Sequence, residues 1–254
     1  MGKIQNHPDT KDLPFSYLIA SGDTTYVVPG RNIATVGTYR DINKWPKRDK
    51  RTASSKKSIV NFDWLSPYTV SEVVRGKQTL EALRKEQGEG VAAYNYNGCL
   101  IKNKSLLKGL KYYDMAIRMY MGEVVARHGG GLPCSSVGSG DWCDLSGLLA
   151  PVEVISELCN NIADDVYKSI EEVENELYSV NEKYSDYRWS WTYRLILDYF
   201  GLDILEETDV NRIMAEADAA RNEWLNAIRY DAEREFALGD VSEDEISNFL
   251  NNLE

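Results

Sequence analysis

Histidine is nearly absent from this 254-residue chain, occurring only at His7 and His128. Nucleophilic catalysis by serine or cysteine needs a base within hydrogen-bond reach. One histidine sits in a polar lead and the other where a helix is expected to end, so neither a Ser/His/Asp nor a Cys/His arrangement is supported. Cysteine is sparse as well. Cys99, Cys134, Cys143 and Cys159 show no Cys-x-x-Cys or zinc-ribbon spacing, which points to free thiols of a reducing cytoplasm. His128 combined with Cys134, Cys143 and Cys159 fits no common zinc spacing, so no metal is expected. The chain has no run of about twenty apolar residues, hence no expected membrane span, and residues 1–13 lack the apolar core of a signal peptide. Gly129-Gly130-Gly131 and Ser135-Ser136-Val137-Gly138-Ser139-Gly140 lack the lysine and the order of a phosphate-binding loop. Their composition suits a flexible connector, and no cofactor is expected.

What the chain does have is a divided charge. Residues 1–124 carry 20 Lys/Arg against 12 Asp/Glu and residues 125–254 carry 9 against 28, for a net charge of −11. The acidic half would repel a phosphate backbone, so nucleic acid is not an expected partner. The same division permits head-to-tail contact between copies. Against this balance stands one concentrated basic stretch, Arg40, Lys44, Trp45, Lys47, Arg48, Lys50 and Arg51. A local reversal of charge marks a place for an anionic partner. Three readings stay open: the cations surround a phosphate while Trp45 stacks on a base or an arginine, the stretch docks on the acidic helices of this or another copy, or it is a solvated loop.

The pattern along the chain predicts an α+β fold, mostly α. Short N-terminal strands and loops are followed by long amphipathic helices that form a helical bundle. Residues 15–19 and 25–28 flank Ser21-Gly22-Asp23 and read as a hairpin. Residues 33–37 read as a third short strand, and 44–58 as a loop. Ser66-Pro67 opens a helix that should stop at Gly88. Asn97-Gly98 centres a second hairpin, and Ser105 opens a helix ending at Gly129. From Pro151, Val152, Ile155, Cys159, Ile162, Val166, Ile170, Val173, Leu177, Val180 and Tyr184 recur every three or four residues, predicting one helix of about thirty residues. A helix to Gly201, another over 209–238 and a short last one capped by Ser242 complete the chain. The regions are therefore 1–128, mixed and bearing the basic stretch; 129–150, the connector; and 151–254, the bundle. The aromatic cluster Tyr184, Tyr187, Trp189, Trp191, Tyr193, Tyr199 and Phe200 reads as core at a helix crossing. Adjacent carboxylates such as Asp164-Asp165 and Glu171-Glu172 face different ways on a helix and read as solvated.

Several segments carry a resemblance: Asp12-Leu13-Pro14-Phe15-Ser16-Tyr17-Leu18, Lys44-Trp45-Pro46-Lys47-Arg48-Asp49, Asn61-Phe62-Asp63-Trp64-Leu65-Ser66-Pro67, Tyr96-Asn97-Gly98-Cys99-Leu100-Ile101-Lys102 and Trp142-Cys143-Asp144-Leu145-Ser146-Gly147-Leu148. Together they resemble the C-terminal part of a bacterial family of unknown function. In that family a left-handed hexapeptide-repeat β-helix, of the trimeric sugar-nucleotide acyltransferase kind, comes first. This chain lacks hexapeptide repeats, so the transferase chemistry does not carry over to its residues. The resemblance implies a non-catalytic interaction or assembly module that self-associates or packs on a protein partner such as a β-helix domain. The alternative is the phosphate-ligand-binding part of a transferase, with the basic stretch holding a sugar nucleotide or coenzyme A.

Overall fold

Short β-branched and aromatic runs pair across glycine turns at the N-terminal end. In the computed structural model, which describes residues 9–48, 59–237, 239 and 243–253, β1 (Tyr17–Ser21) and β2 (Thr24–Val28) form an antiparallel hairpin. A 3-10 turn at Arg31–Ala34 follows, then α1 (Val36–Arg48). This corrects the strand expected at 33–37 and the loop expected from Lys44, since the chain is helical as far as Arg48. Capping is the reason. Thr35 is extended, its Oγ1 accepts the Thr38 N–H at 3.3 Å, and Asp231 Oδ2 accepts the Val36 N–H at 3.1 Å. Satisfying first-turn donors in this way outweighs the strand preference of Ile33, Thr35 and Val36. Residues 49–58 of the expected loop lie outside the described residues.

α2 (Pro67–Gln87) begins at the predicted cap, with Ser66 Oγ accepting the Thr69 N–H at 3.2 Å. β3 (Ala93–Tyr96) and β4 (Cys99–Lys102) meet over Asn97-Gly98, whose φ values of 47° and 76° are what a type I′ turn requires. β4 joins β2 in parallel at Tyr26 and Leu100, giving a four-stranded sheet of order β1-β2-β4-β3. α3 (Asn103–His128) follows.

The glycine- and serine-rich segment conceals a third hairpin. β5 (Trp142–Leu145) pairs with β6 (Leu148–Pro151) across Ser146-Gly147, both at positive φ. The loop before it is also built into the structure rather than left as a free tether. The Gly138 N–H donates to Glu153 Oε1 at 2.7 Å, and its carbonyl accepts the Trp142 indole N–H at 2.8 Å.

The single helix expected from Pro151 to Tyr184 is broken into α4 (Val152–Ala163) and α5 (Ile170–Glu182), and α6 (Tyr184–Phe200) is the separate helix expected to end at Gly201. α4 ends in a Schellman arrangement. Asp165 adopts φ 52°, its N–H donates to the Ile162 carbonyl at 3.2 Å, and the Val166 N–H donates to that of Asn161 at 2.9 Å. α5 opens on Ser169, whose Oγ accepts the Glu172 N–H at 3.2 Å, while Glu172 Oε2 accepts the Lys168 N–H at 2.7 Å. Ile162, Val166 and Ile170 keep a four-residue spacing across the break, so periodicity ran through it unchanged. α7 (Glu207–Phe236) is the expected long helix, and α8 (Glu243–Asn251) is the last. The Ser242 cap lies outside the described residues. The fold is α+β and mostly α, as the sequence predicts.

The described residues divide into two compact units, one from 1–44, 70–119 and 217–254, the other from 45–69 and 120–216. In the first, Val27, Ile33, Leu80, Tyr94, Ile101, Leu106 and Tyr113 are fully buried. The Tyr113 hydroxyl donates to the Pro14 carbonyl at 2.7 Å, and the Trp224 indole N–H to that of Ile33 at 2.8 Å. Gly109 lets the Pro29-Gly30 turn lie directly on α3, since a Cβ there would stand 2.8 Å from Pro29 Cβ. Gly30 itself is left-handed, at φ 64°, with Tyr112 and Tyr113 against it. In the second unit, Trp142, Leu149 and Tyr184 form one apolar cluster with Tyr187 and Trp191 against it. Leu148, Ala150 and Val180 form another, covered by Ile59, Val154, Ile155 and Leu177. Tyr184, Trp189 and Tyr193 of the aromatic segment are buried here.

Candidate functional site

The predicted anion-binding residues Arg40, Lys44, Trp45, Lys47 and Arg48 all lie on α1, and Lys50 and Arg51 fall outside the described residues. Arg40, Lys44, Lys47 and Arg48 follow the i, i+4, i+7, i+8 spacing that places side chains along one side of a helix. Arg40 is turned onto aromatic rings, its guanidinium 5.4 Å from the Phe236 centroid and 5.5 Å from that of Phe249. Those two rings meet edge to face and belong to a cluster with Val36, Ala232 and Leu250. Arg40 thus contributes a cation–π contact to packing within its own unit. Lys44, Lys47 and Arg48 are exposed, and Trp45 is 55% exposed.

The second unit holds a polar centre that the sequence reading missed. Arg188 of α6 is only 2% exposed. Its guanidinium forms ion pairs with Asp63 and Glu123, each at 3.1 Å, and lies 5.0 Å from the Tyr120 ring centroid. The Tyr184 hydroxyl donates to Asp63 Oδ2 at 2.9 Å, and the Tyr120 and Thr192 hydroxyls share a hydrogen bond at 2.8 Å. Burial opposes the charge of Arg188, but Tyr120, Tyr184, Glu123 and Asp63 outweigh it and hold its pKa above the ordinary arginine value. Burial pushes the Tyr120 hydroxyl up to about 12 and raises that of Tyr184 as well. An arginine set among Tyr187, Trp189 and Trp191 was the available signal, because a cation inside an aromatic helix face must find its counter-charges there.

Beside this centre is a cleft of about 520 Å³ lined by His128, Cys134, Ser135, Lys183, Asp186 and Trp189, among others. The His128 ring lies flat on Trp189, at 5.2 Å and 3°, and the indole N–H donates to the Gly131 carbonyl at 2.9 Å. Burial lowers the His128 pKa; Asp186 opposes that shift, while Arg188 and Arg127 reinforce it. The imidazole is therefore neutral at pH 7, with Nε2 3.3 Å from Ser185 Oγ. Among the described residues no carboxylate hydrogen-bonds the other ring nitrogen, the contact that orients histidine in catalytic triads. Nor, among the described residues, do three or more His, Cys, Asp or Glu side chains converge as for a metal ion. No described helix is long and apolar enough to cross a membrane.

The break between α4 and α5 leaves apolar side chains in solvent. Ile162 is 45% exposed, Val166 53% and Ile170 80%, and Val152 at the opposite end of α4 is 40% exposed. Val154, Ile155 and Leu177 turn inward onto the core, while Cys159 is exposed. The stripe read from the sequence as helix core is thus only partly covered.

No curated protein and no solved structure matches the chain. Residues 1–84, from β1 into α2, match the model of a domain of unknown function, DUF4954. Residues 131–242, which carry the β5–β6 hairpin, Arg188 and the exposed apolar corner, match a second domain of unknown function, DUF6819. In two separate stretches, then, the chain is similar to two domain families whose function is unknown.

Proposed function

We propose that this chain is a non-catalytic assembly module that self-associates through the apolar corner between α4 and α5. The observation that carries the reading is the run of exposed aliphatic side chains, with Ile162 45%, Val166 53% and Ile170 80% exposed within nine residues of chain. Single exposed apolar residues are ordinary, whereas a run of them concentrated at one corner marks a contact surface. The Schellman end of α4 and the Ser169 cap of α5 hold that corner in one shape, so little ordering is needed on binding. The resemblance of several segments to the C-terminal part of a bacterial family whose hexapeptide-repeat β-helix is of a trimeric kind agrees with an assembly role, and the free thiols suit a cytoplasmic one. Under this reading the basic α1 residues serve packing and solubility.

Sedimentation velocity of the purified chain across the micromolar range tests this. A reversible oligomer is expected for the wild type, and a monomer of unchanged thermal stability for the double variant Ile162→Asp, Ile170→Asp. A wild type that stays monomeric throughout, or a double variant that associates equally well, defeats the proposal.

A further inference from the structure

The first unit contains a cleft of about 590 Å³ between α3, α7 and the turn that begins at Arg31. It was not legible in the sequence. We propose that it binds a small, soluble phosphate ester. The charges in its lining do not balance within the protein. Four cations line it: Arg31, Lys108, Lys111 and Arg234. Two are spent. Arg31 is paired with Asp231 and also donates to the Ala34 carbonyl at 2.9 Å, and Lys111 is paired with Glu223. Asp231 is further engaged by the Val36 N–H.

Lys108 and Arg234 remain, neither ion-paired to a carboxylate among the described residues. Each is parked over a tyrosine lining the same cleft, Lys108 5.2 Å from the Tyr112 centroid and Arg234 5.8 Å from that of Tyr230. Two unpaired cations, one a point charge and one a planar fork, match the double charge and several acceptor oxygens of a phosphoryl group better than a single carboxylate. Asn222 and Asn226, one helical turn apart on α7, add carboxamide donors to the lining. The volume exceeds what a bare phosphate fills and is of the size that holds a small organic molecule. The tyrosine rings give such a molecule an apolar wall. Glu235 lines the neighbouring depression that shares Arg31 and Arg234, not this cleft.

The fold supplies the geometry. The turn that leads into Arg31 lies on α3, with Gly109 against Pro29 and the left-handed Gly30 against Tyr112 and Tyr113. Lys108 and Lys111 are a turn apart on α3, and Arg234 is two turns beyond Ala227 on α7, so three distant segments share one wall.

Isothermal titration in low-salt, phosphate-free buffer tests the proposal, with inorganic phosphate and adenosine monophosphate as probes and acetate as the monoanion control. Saturable binding of both phosphate probes and much weaker binding of acetate are expected. In the double variant Lys108→Ala, Arg234→Ala the affinity should fall about tenfold or more. Both side chains are exposed, so the melting temperature of that variant should match the wild type. The variant Lys44→Ala, Lys47→Ala on α1, at two exposed positions, should bind as the wild type does. The proposal is overturned if neither probe saturates, if acetate binds equally well, if the cleft variant binds normally, or if the α1 variant loses binding. It is equally overturned if the chain ignores both soluble probes but sediments with vesicles of phosphatidylcholine and phosphatidic acid.

Discussion

Arg188, 2% exposed, balances its charge with groups that other segments bring to it. Asp63 precedes α2, Glu123 is on α3, and both remain partly exposed at 30% and 41%. Replacing Arg188 by Met keeps much of the volume but strands two carboxylates beside a buried tyrosine pair. Because those carboxylates reach water, the expected loss is about 2–3 kcal/mol, below the cost of orphaning a fully buried ion. Urea denaturation measures it, and a loss under about 0.5 kcal/mol would mean the centre is not structural. His128 makes the second residue-scale prediction. Its pKa lies below the usual 6.5 in the folded chain because burial disfavours the charged ring. An unfolded chain therefore takes up this proton more readily, and stability falls as pH drops from about 6.5 through the folded value. Asp186 moderates the effect, and Arg188 and Arg127 add to it. Thermal melts of the wild type should decline faster over that window than those of His128→Gln. Parallel pH profiles would exclude the assignment.

At the scale of elements, caps decided what periodicity did not. The stripe from Val152 to Tyr184 was legible as apolar and helical, yet the Ser169-Ile170-Glu171-Glu172 capping pattern inside it starts a new helix. Ser169→Ala should cost about 1 kcal/mol, as loss of an N-cap usually does, and should lower α5 protection in hydrogen exchange while leaving α7 unchanged. Equal α5 protection in the wild type and in Ser169→Ala would show that tertiary packing alone holds the break. α1 teaches the same lesson from the other side. Ile33, Thr35 and Val36 favour a strand locally, but Thr35 as N-cap and Asp231, nearly two hundred residues away, complete a helix start. The β5–β6 hairpin escaped notice because Ser146-Gly147 was absorbed into a glycine-rich average. Flanked by Trp142 and the apolar run Leu148-Leu149-Ala150, that dipeptide carried a turn signal.

For the whole molecule the open matter is what drives copies together. The basic first half and acidic second half permit a head-to-tail ionic contact, whereas the α4–α5 corner offers an apolar one. The two respond oppositely to salt. Surface ion pairs are screened within about 8–10 Å at moderate ionic strength, while excluded salts such as sulfate strengthen apolar burial. Association through the corner should therefore persist or tighten in ammonium sulfate, as read by sedimentation. Dissociation with rising salt would assign the contact to charge instead.

The class of the fold, the two predicted hairpins, the start of α2 and the end of α3 follow from the sequence alone, because local turn chemistry, caps and periodicity act within a few residues; α3 opens at Asn103, two residues before the expected Ser105. The sequence also determined the charge division and the paucity of histidine. Tertiary structure alone decided which cations remain unpaired. Arg40 goes to aromatic rings, Arg31 to Asp231 and Lys111 to Glu223, leaving Lys108 and Arg234 in a common cleft. These partners lie about a hundred residues or more apart in the chain, and a counter-charge acts through distance in space, which the order of residues does not encode locally.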